Sequence, residues 1–346
     1  MCYGFLSCEF LERFTEKAKC HLYYEKLNLT RAFSGYVVYM ATITETSESE
    51  AMTTYRIKDV LWSGGTESCE TVVITESNEY GRMLFLDGEL QSASADERIY
   101  HESLVHPVLA ATADTSRKRV LVIGGGEGAT VREVLRWNPS FVAEVVWVDI
   151  DTELVDLCRT HLGWAPHVYD NPRVRFIGKD IREVLPEFPC DHFDVVILDL
   201  PDPDGDTGYL YSAEFWKGIR RVMDSDGRLV THVGPVRPSG IIGHGLQRIW
   251  ADSGLSQSIG GFYSIVIPSF QGSWGFWMSG PSYSYTGQLP ESLAVVDTEQ
   301  LRQWVFPPLV WRRALEEQVK TGKGNGICKM YMPPNIVCDC VSYPDE

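Results

Sequence analysis

VLVIGGGEGATVREVLRWNPSFVAEVVWVD, residues 120–149, carries the pattern on which the fold turns. The apolar run VLVIG (120–124) is the right length for a strand buried on both faces. Gly124, Gly125, Gly126 and Gly128 follow it, and VREVLRW (131–137) then takes up helical spacing. Glycines there permit positive φ and let the backbone approach a ligand closely. Alone, such a cluster is also the composition of an ordinary tight turn. The order strand, loop, helix, strand favours the binding turn, and the second strand, EVVWVD (144–149), ends in an acid.

Downstream the same alternation continues. A helix is expected over 98–113, before the quoted stretch, and TELVDLCRTHL (152–162) forms another after it. VRFIGKD (174–180) reads as a strand and IREVLPEF (181–188) as a short helix. FDVVILD (193–199) is a strand, SAEFWKGIRRVM (212–223) a helix and GRLVTHV (227–233) a strand. A helix follows around 243–253, then FYSIVIP and SWGFWMSG read as an antiparallel pair. Near-continuous apolar strands alternating with helices predict an α/β fold, a Rossmann-like, doubly wound and mainly parallel sheet. Upstream, TVVITES and RMLFLDGELQSA are separated by turn signals at Asn78–Gly81 and Asp87–Gly88 and predict a small antiparallel β domain. TITETSESE (42–50) is polar and reads as a flexible connector. The expected organisation is an extension over 1–54, a hairpin domain over 55–97, the main domain over 98–284 and a C-terminal extension over 285–346, with a helix broken at Pro307 and Pro308.

The chain has 31 Lys and Arg against 47 Asp and Glu, a net charge of −16. Nucleic-acid binding needs clustered positive charge, so that class is excluded. An acidic field attracts a small cation, although acidic solubility explains the same balance. Nine scattered cysteines without paired spacing suggest reduced thiols, and Cys338-x-Cys340 is too little for a zinc site, so no metal is expected. No run of eighteen apolar residues exists and residues 1–14 make a poor secretory signal, so a cytoplasmic protein without a membrane partner is expected.

Three acids end successive predicted strands at the edge where such sheets bind ligands: Asp149, Asp180 and Asp199. Asp149 is placed to accept hydrogen bonds from ribose hydroxyls, and Asp180 to read an adenine amino group. Glu127, inside the glycine loop, would repel a pyrophosphate but attract a sulfonium or ammonium. It also disfavours a donor bearing its own carboxylate; the alternative is a side chain in solvent that favours the helix dipole. Asp199 and Asp202, held between Pro201 and Pro203, could hold an amine and take its proton as a C–N bond forms. An Asp-initiated turn accounts for the same spacing.

With these residues in view, the sequence resembles the spermidine synthase family of aminopropyltransferases over roughly residues 60–280. The matching runs are YGRMLFLDGELQSASADERIYHESLVHP (80–107), VLVIGGGEGATVREVL (120–135), VDID (148–151), DVVILDLPDP (194–203) and IPSFQGSWGFWMSG (267–280). Within the family, GGGEGAT, YHE and IPSF…WGF look more like thermospermine synthases and aminopropylagmatine synthases, and IPSFQGSWGF is especially close to the thermospermine pattern. The resemblance implies a class I methyltransferase-like fold, decarboxylated S-adenosylmethionine as cosubstrate with no permanently bound cofactor, a polyamine acceptor and a homodimer or homotetramer. It implies Asp199 as the catalytic acid, and Gln91, His101, Gly124, Gly125, Gly126, Glu127, Asp149, Asp180 and Ile181 at the donor. It implies Tyr100, Asp199, Asp202, His232 and Phe270 around the acceptor. Phe270 stands where putrescine-using relatives carry Tyr, which suits a longer acceptor such as spermidine. Two departures stand out: Pro201 replaces Ser, Thr or Ala, and His232 replaces a glutamine. His232 reads equally as a packed residue at a strand end. Close variants of the activity are spermidine, spermine and aminopropylagmatine synthesis. A methyltransferase using intact S-adenosylmethionine and a non-catalytic polyamine-binding protein are the competing classes.

Overall fold

The computed structural model describes residues 41–46, 52–112, 117–201, 205–236, 255, 262–279 and 289–297. The helices expected near 243–253 and 298–319 lie outside the described residues, as does Asp202. The chain divides into two compact units, one running to Ala95 and including Thr160–Leu162, the other comprising Asp96–Arg159 and the chain from Gly163.

The first unit is built from antiparallel strands. β1 (Ala41–Thr46) pairs with β2 (Met52–Ile57), and β3 (Asp59–Gly64), β4 (Val72–Ser77), β5 (Gly81–Leu86) and β6 (Glu89–Ala93) follow as a meander. Asp87 and Gly88 have φ of 49° and 89°, the left-handed pair that a two-residue hairpin demands, and the Asp-Gly signal supplies it. Val72, Ile74, Met83, Leu84 and Phe85 are fully or almost fully buried and form this unit's core. The segment expected as a connector is corrected here: residues 41–46 are strand. ATITET offers β-branched residues in alternation, Ile43 lies opposite Tyr55, and the Thr44 and Thr54 hydroxyls meet at 3.0 Å. Its polarity marks a solvated face, not a missing partner.

The second unit is a seven-stranded sheet with order β12-β13-β11-β10-β7-β8-β9. Its elements are α1 (Glu97–Ala110), β7 (Lys118–Gly124), α2 (Ala129–Leu135), β8 (Val142–Asp149), α3 (Thr152–His161), β9 (Val174–Gly178) and α4 (Ile181–Val184). β10 (Phe193–Asp199), α5 (Ala213–Val222), β11 (Met223–Pro235), β12 (Phe262–Ile267) and β13 (Gly272–Met278) complete it. β7 to β11 are parallel, and β13 enters antiparallel beside β11. The helix expected over 181–188 stops at Val184 and continues only as a 3-10 turn, because Pro186 cannot continue an α-helical hydrogen-bond ladder.

Alternate strand residues enter different layers, which is why the strands read as unbroken apolar runs. Val120, Val122, Val145 and Trp147 pack with Leu104, Val108 and Val131 from α1 and α2. Leu121, Ile123, Val146 and Val148 pack with Ile181, Phe215 and Ile219 from α4 and α5. Each such side chain contributes about 1.5–3 kcal/mol when fully buried. α1 contains Pro107, which offers no N–H to the carbonyl of Ser103 one turn earlier. The Tyr263 hydroxyl on β12 donates to that carbonyl instead, at 2.8 Å.

Candidate active site

The chain runs from β7 outward through β8 to β9 and then returns to β10, which lies on the other side of β7. The switch point therefore falls between β7 and β10, whose last residues, Gly124 and Asp199, are register partners. Gly124 and Gly125 have φ of 79° and 70°, and a side chain at Gly124 would collide with the Asp199 carbonyl. The Gly125 N–H donates to that carbonyl at 2.9 Å, and a Cβ at Gly125 would lie 2.9 Å from Asp199 Oδ2. These glycines let the loop press against the acid, and the Trp147 indole N–H holds the Gly124 carbonyl at 2.9 Å. At Gly126, a Cβ would come within 3.4 Å of Asp149 Oδ2.

Asp199 sits under two hydroxyls. Tyr100 on α1 donates to Oδ1 at 2.7 Å and Thr130 on α2 donates to Oδ2 at 2.5 Å. Both hydrogen bonds aim the carboxylate. Asp149 is buried, and burial above all pushes its pKa up to about 7. The Asp151 N–H opposes that shift, whereas the charges of Asp151 and Asp199 add to it. Asp180 caps α4, accepting from the Arg182 N–H at 2.8 Å, from its guanidinium and from the Tyr209 hydroxyl at 3.2 Å. Burial works against the Asp180 charge, but these donors hold its carboxyl below the usual range. Ile181 is buried as the first residue of α4.

Glu127 does not point into solvent. Its side chain is 14% exposed and its Oε2 lies 3.9 Å from His101 Nε2, which removes the solvated alternative. His101 is buried on α1, with Nδ1 2.9 Å from Glu97 Oε2. Burial disfavours its charge, yet the Glu97 hydrogen bond and the charges of Glu127, Glu97 and Asp199 raise its pKa to about 9.

Four aromatic rings stand beside Asp199. Phe270 lies 6.3 Å from Tyr100 and 4.8 Å from Trp274, centroid to centroid. His232 stacks on Trp274 at 6.0 Å and lies 6.2 Å from Tyr100. His232 Nε2 is 2.5 Å from the Leu200 carbonyl, so Nε2 carries a hydrogen. Its Nδ1 is buried without a hydrogen-bond partner. Pro201 is exposed, and its carbonyl accepts from the Tyr211 hydroxyl at 2.5 Å. Gln91 lies on β6 of the other unit, with its amide nitrogen 3.3 Å from the Glu89 carbonyl.

The sequence reading passed over Asp96, Glu97, Thr130 and Trp274. Asp96 accepts from the Ser269 N–H at 2.7 Å and hydroxyl at 2.9 Å, tying the start of α1 to the turn before β13. Only the Glu97/His101 pair carried a local signal, the four-residue spacing of neighbours on a helix face.

Residues 97–280 match the spermine/spermidine synthase domain and residues 42–94 the spermidine synthase tetramerisation domain. The chain belongs to the spermine/spermidine synthase family. It is 36% identical over 249 residues to polyamine aminopropyltransferase 2 of Pseudomonas aeruginosa, covering 68% of this chain and 66% of that protein, just short of two thirds of the relative's length. It is 35% identical over 294 residues to polyamine aminopropyltransferase 2 of Hyperthermus butylicus, covering 79% of this chain and 91% of that one. A spermidine synthase solved with the transition-state analogue AdoDATO superposes with a TM-score of 0.70 at 21% identity, covering 83% of this chain and 97% of that one. At that identity the likeness establishes a shared fold, with its mainly parallel sheet and N-terminal antiparallel β unit.

Proposed function

We propose that this family member moves the aminopropyl group of decarboxylated S-adenosylmethionine onto a polyamine amine, with spermidine as acceptor and thermospermine as product. The observation that carries the reading is Asp199: it ends β10 at the switch point, pressed by the glycine loop and aimed by Tyr100 and Thr130. A neutral amine attacks the methylene carbon bonded to the sulfonium. The C–S electron pair goes to sulfur, releasing neutral methylthioadenosine, and Asp199 takes the proton from nitrogen. Asp149 would hold the ribose hydroxyls, while Asp180 and Ile181 would meet the adenine. The partly buried Glu127 favours a donor that ends in an ammonium over one that ends in a carboxylate.

Support for a long acceptor comes from Phe270 and its neighbours. Without a hydroxyl at 270 the far amine of a diamine loses a hydrogen-bond partner, whereas the rings of Tyr100, Trp274 and Phe270 suit methylene chains and ammonium groups. Asp202 and His232 complete the acceptor side of the reading. The tetramerisation-domain match over 42–94 supports a homodimer or homotetramer. Thiols at Cys69, Cys158 and Cys190 accord with a reducing cytoplasm.

Incubation with decarboxylated S-adenosylmethionine and a panel of di- and triamines, followed by mass spectrometry, tests this. Methylthioadenosine release with a product alkylated at N1, the aminopropyl-end amine of spermidine, is expected. Faster turnover of putrescine or agmatine would overturn the acceptor, and turnover of intact S-adenosylmethionine alone would overturn the reaction.

A further inference from the structure

An ionic chain runs behind the site, between α1 and α2, and has no part in the transfer as described so far. Glu97 receives a two-pronged guanidinium contact from Arg132, Nη1 to Oε1 at 3.0 Å and Nη2 to Oε2 at 2.8 Å. Arg132 also donates through Nε to Glu133 Oε1 at 2.8 Å and through Nη1 to the Trp164 carbonyl at 3.3 Å. Glu133 is fully buried and its Oε2 lies 3.0 Å from His106 Nε2, while His106 Nδ1 accepts from the Trp137 indole at 3.1 Å. Every donor and acceptor along this chain is therefore directional, and Glu97 has little freedom to turn.

The far end of the chain is His101. Its Nδ1 faces both the Glu97 carbonyl at 2.7 Å and the Glu97 carboxylate at 2.9 Å, so the nitrogen carries a hydrogen and the ring cannot flip without losing both. That leaves Nε2 facing Glu127 across 3.9 Å. We propose that Glu97, clamped by Arg132, is the positioning residue that fixes the orientation and charge of His101, and that His101 in turn serves as the resident counter-ion of the site's acids. The idea rests on the aminopropyl-transfer reading for its consequence, but not for its geometry.

The consequence is electrostatic. Glu127, Asp149 and Asp199 converge on one small region, and like charges so close drive protons onto one another. The charged groups facing His101 are Glu97 from its own helix, Glu127 from the glycine loop and Asp199 from the end of β10; Tyr100 meets it edge-on at 5.1 Å. An imidazolium among them sets a positive charge against Glu127 and Asp199, the groups that would meet a cationic donor and the amine proton. The held charge persists to about pH 9, well above the ordinary histidine range.

Titration of His101 by NMR in the full-length protein, without substrates, tests the positioning directly. In the natural sequence the ring is expected to stay charged to about pH 9. In Glu97→Gln it should lose its proton at least tenfold more readily, and the alkaline limb of the kcat profile should move down in pH while the protein still binds methylthioadenosine. Arg132→Lys retains every charge but loses the fork, and should move both readouts in the same direction by less. An unmoved His101 titration in either variant overturns the proposal, as does an activity loss with an unshifted pH profile, which a merely structural Glu97 would give. If Glu97→Gln does not fold, Arg132→Lys decides by the same two readouts. A shifted titration in a protein that transfers no aminopropyl group would overturn the assigned reaction and leave the positioning role standing.

Discussion

The two edges of the parallel sheet treat charge in opposite ways. At the edge where β7, β8 and β10 end, Asp149 and Asp199 are met by hydroxyls and a backbone N–H, and among the described residues neither is ion-paired with a Lys or Arg. At the other edge Arg119, Arg173 and Arg175 gather in a chain that is acidic overall. There each charge is matched within the fold. Arg173 donates to the carbonyls of Leu135, Trp137 and Val142 at 2.6, 3.0 and 3.2 Å, Arg119 lies 3.9 Å from Asp194 and Arg175 lies 3.9 Å from Glu144. A charge matched inside the fold stabilises; a charge left in an acidic, partly desolvated group is available to a ligand.

The contrast breaks most visibly at Asp199. Asp199→Asn should lower kcat on the order of 10²–10⁴-fold, the usual span of a lost proton acceptor, while methylthioadenosine binding measured by calorimetry stays near normal. Loss of both together would make Asp199 a structural acid like Asp194. At the opposite edge, Arg173→Met leaves three carbonyls without their donor and should cost about 2–3 kcal/mol of stability in denaturant unfolding, with kcat/KM unchanged. A fall in kcat/KM for properly folded protein would show that the two edges communicate.

Asp149 sharpens the comparison through pH. Its folded pKa of about 7 lies above the unfolded carboxylate value, so its contribution to stability is present below about pH 4 and lost as pH rises through 7. Ribose hydroxyls donate to the ionised form, so methylthioadenosine affinity should rise up to about tenfold per pH unit below 7. Thermal shifts at pH 6 and 8 check it, and Asp149→Asn should abolish the trend. The smallest effect belongs to Phe270→Tyr, which should improve putrescine use relative to spermidine by several-fold, up to roughly tenfold for one added hydrogen bond. Product ratios in a mixed-acceptor assay read it directly.

Strand periodicity and the glycine loop located the acids because both are local signals: an apolar run ends where its carboxylate begins. The small unit's hairpins came through for the same reason, with Asp87–Gly88 supplying the turn its backbone needs. The β1 strand was missed because its alternation lies in β-branched threonines, and Pro186 shortened α4 where the pattern alone ran on. Asp180 is placed at the adenine from its strand-end position alone, and that reading did not include Arg182, two residues on, which engages the carboxylate in a local capping pattern. The Asp96 and Ser269 bond, 173 residues apart, and the insertion of β13 between β11 and β12 have no local trace at all. Nor does the choice of Glu97 as partner to Arg132, since nothing in either residue names the other.

One small repair inside α1 reaches further than its single hydrogen bond. Because Tyr263 supplies what Pro107 withholds, the helix that carries Tyr100 and His101 is tethered to β12, and through Asp96 and Ser269 to the turn bearing Phe270. For protein engineers this defines a transplant unit. Exchanging acceptor preference between relatives by swapping the 267–280 segment alone would cut across the Asp96–Ser269 tether, whereas moving α1, β12 and β13 together would carry the attachments with the pocket.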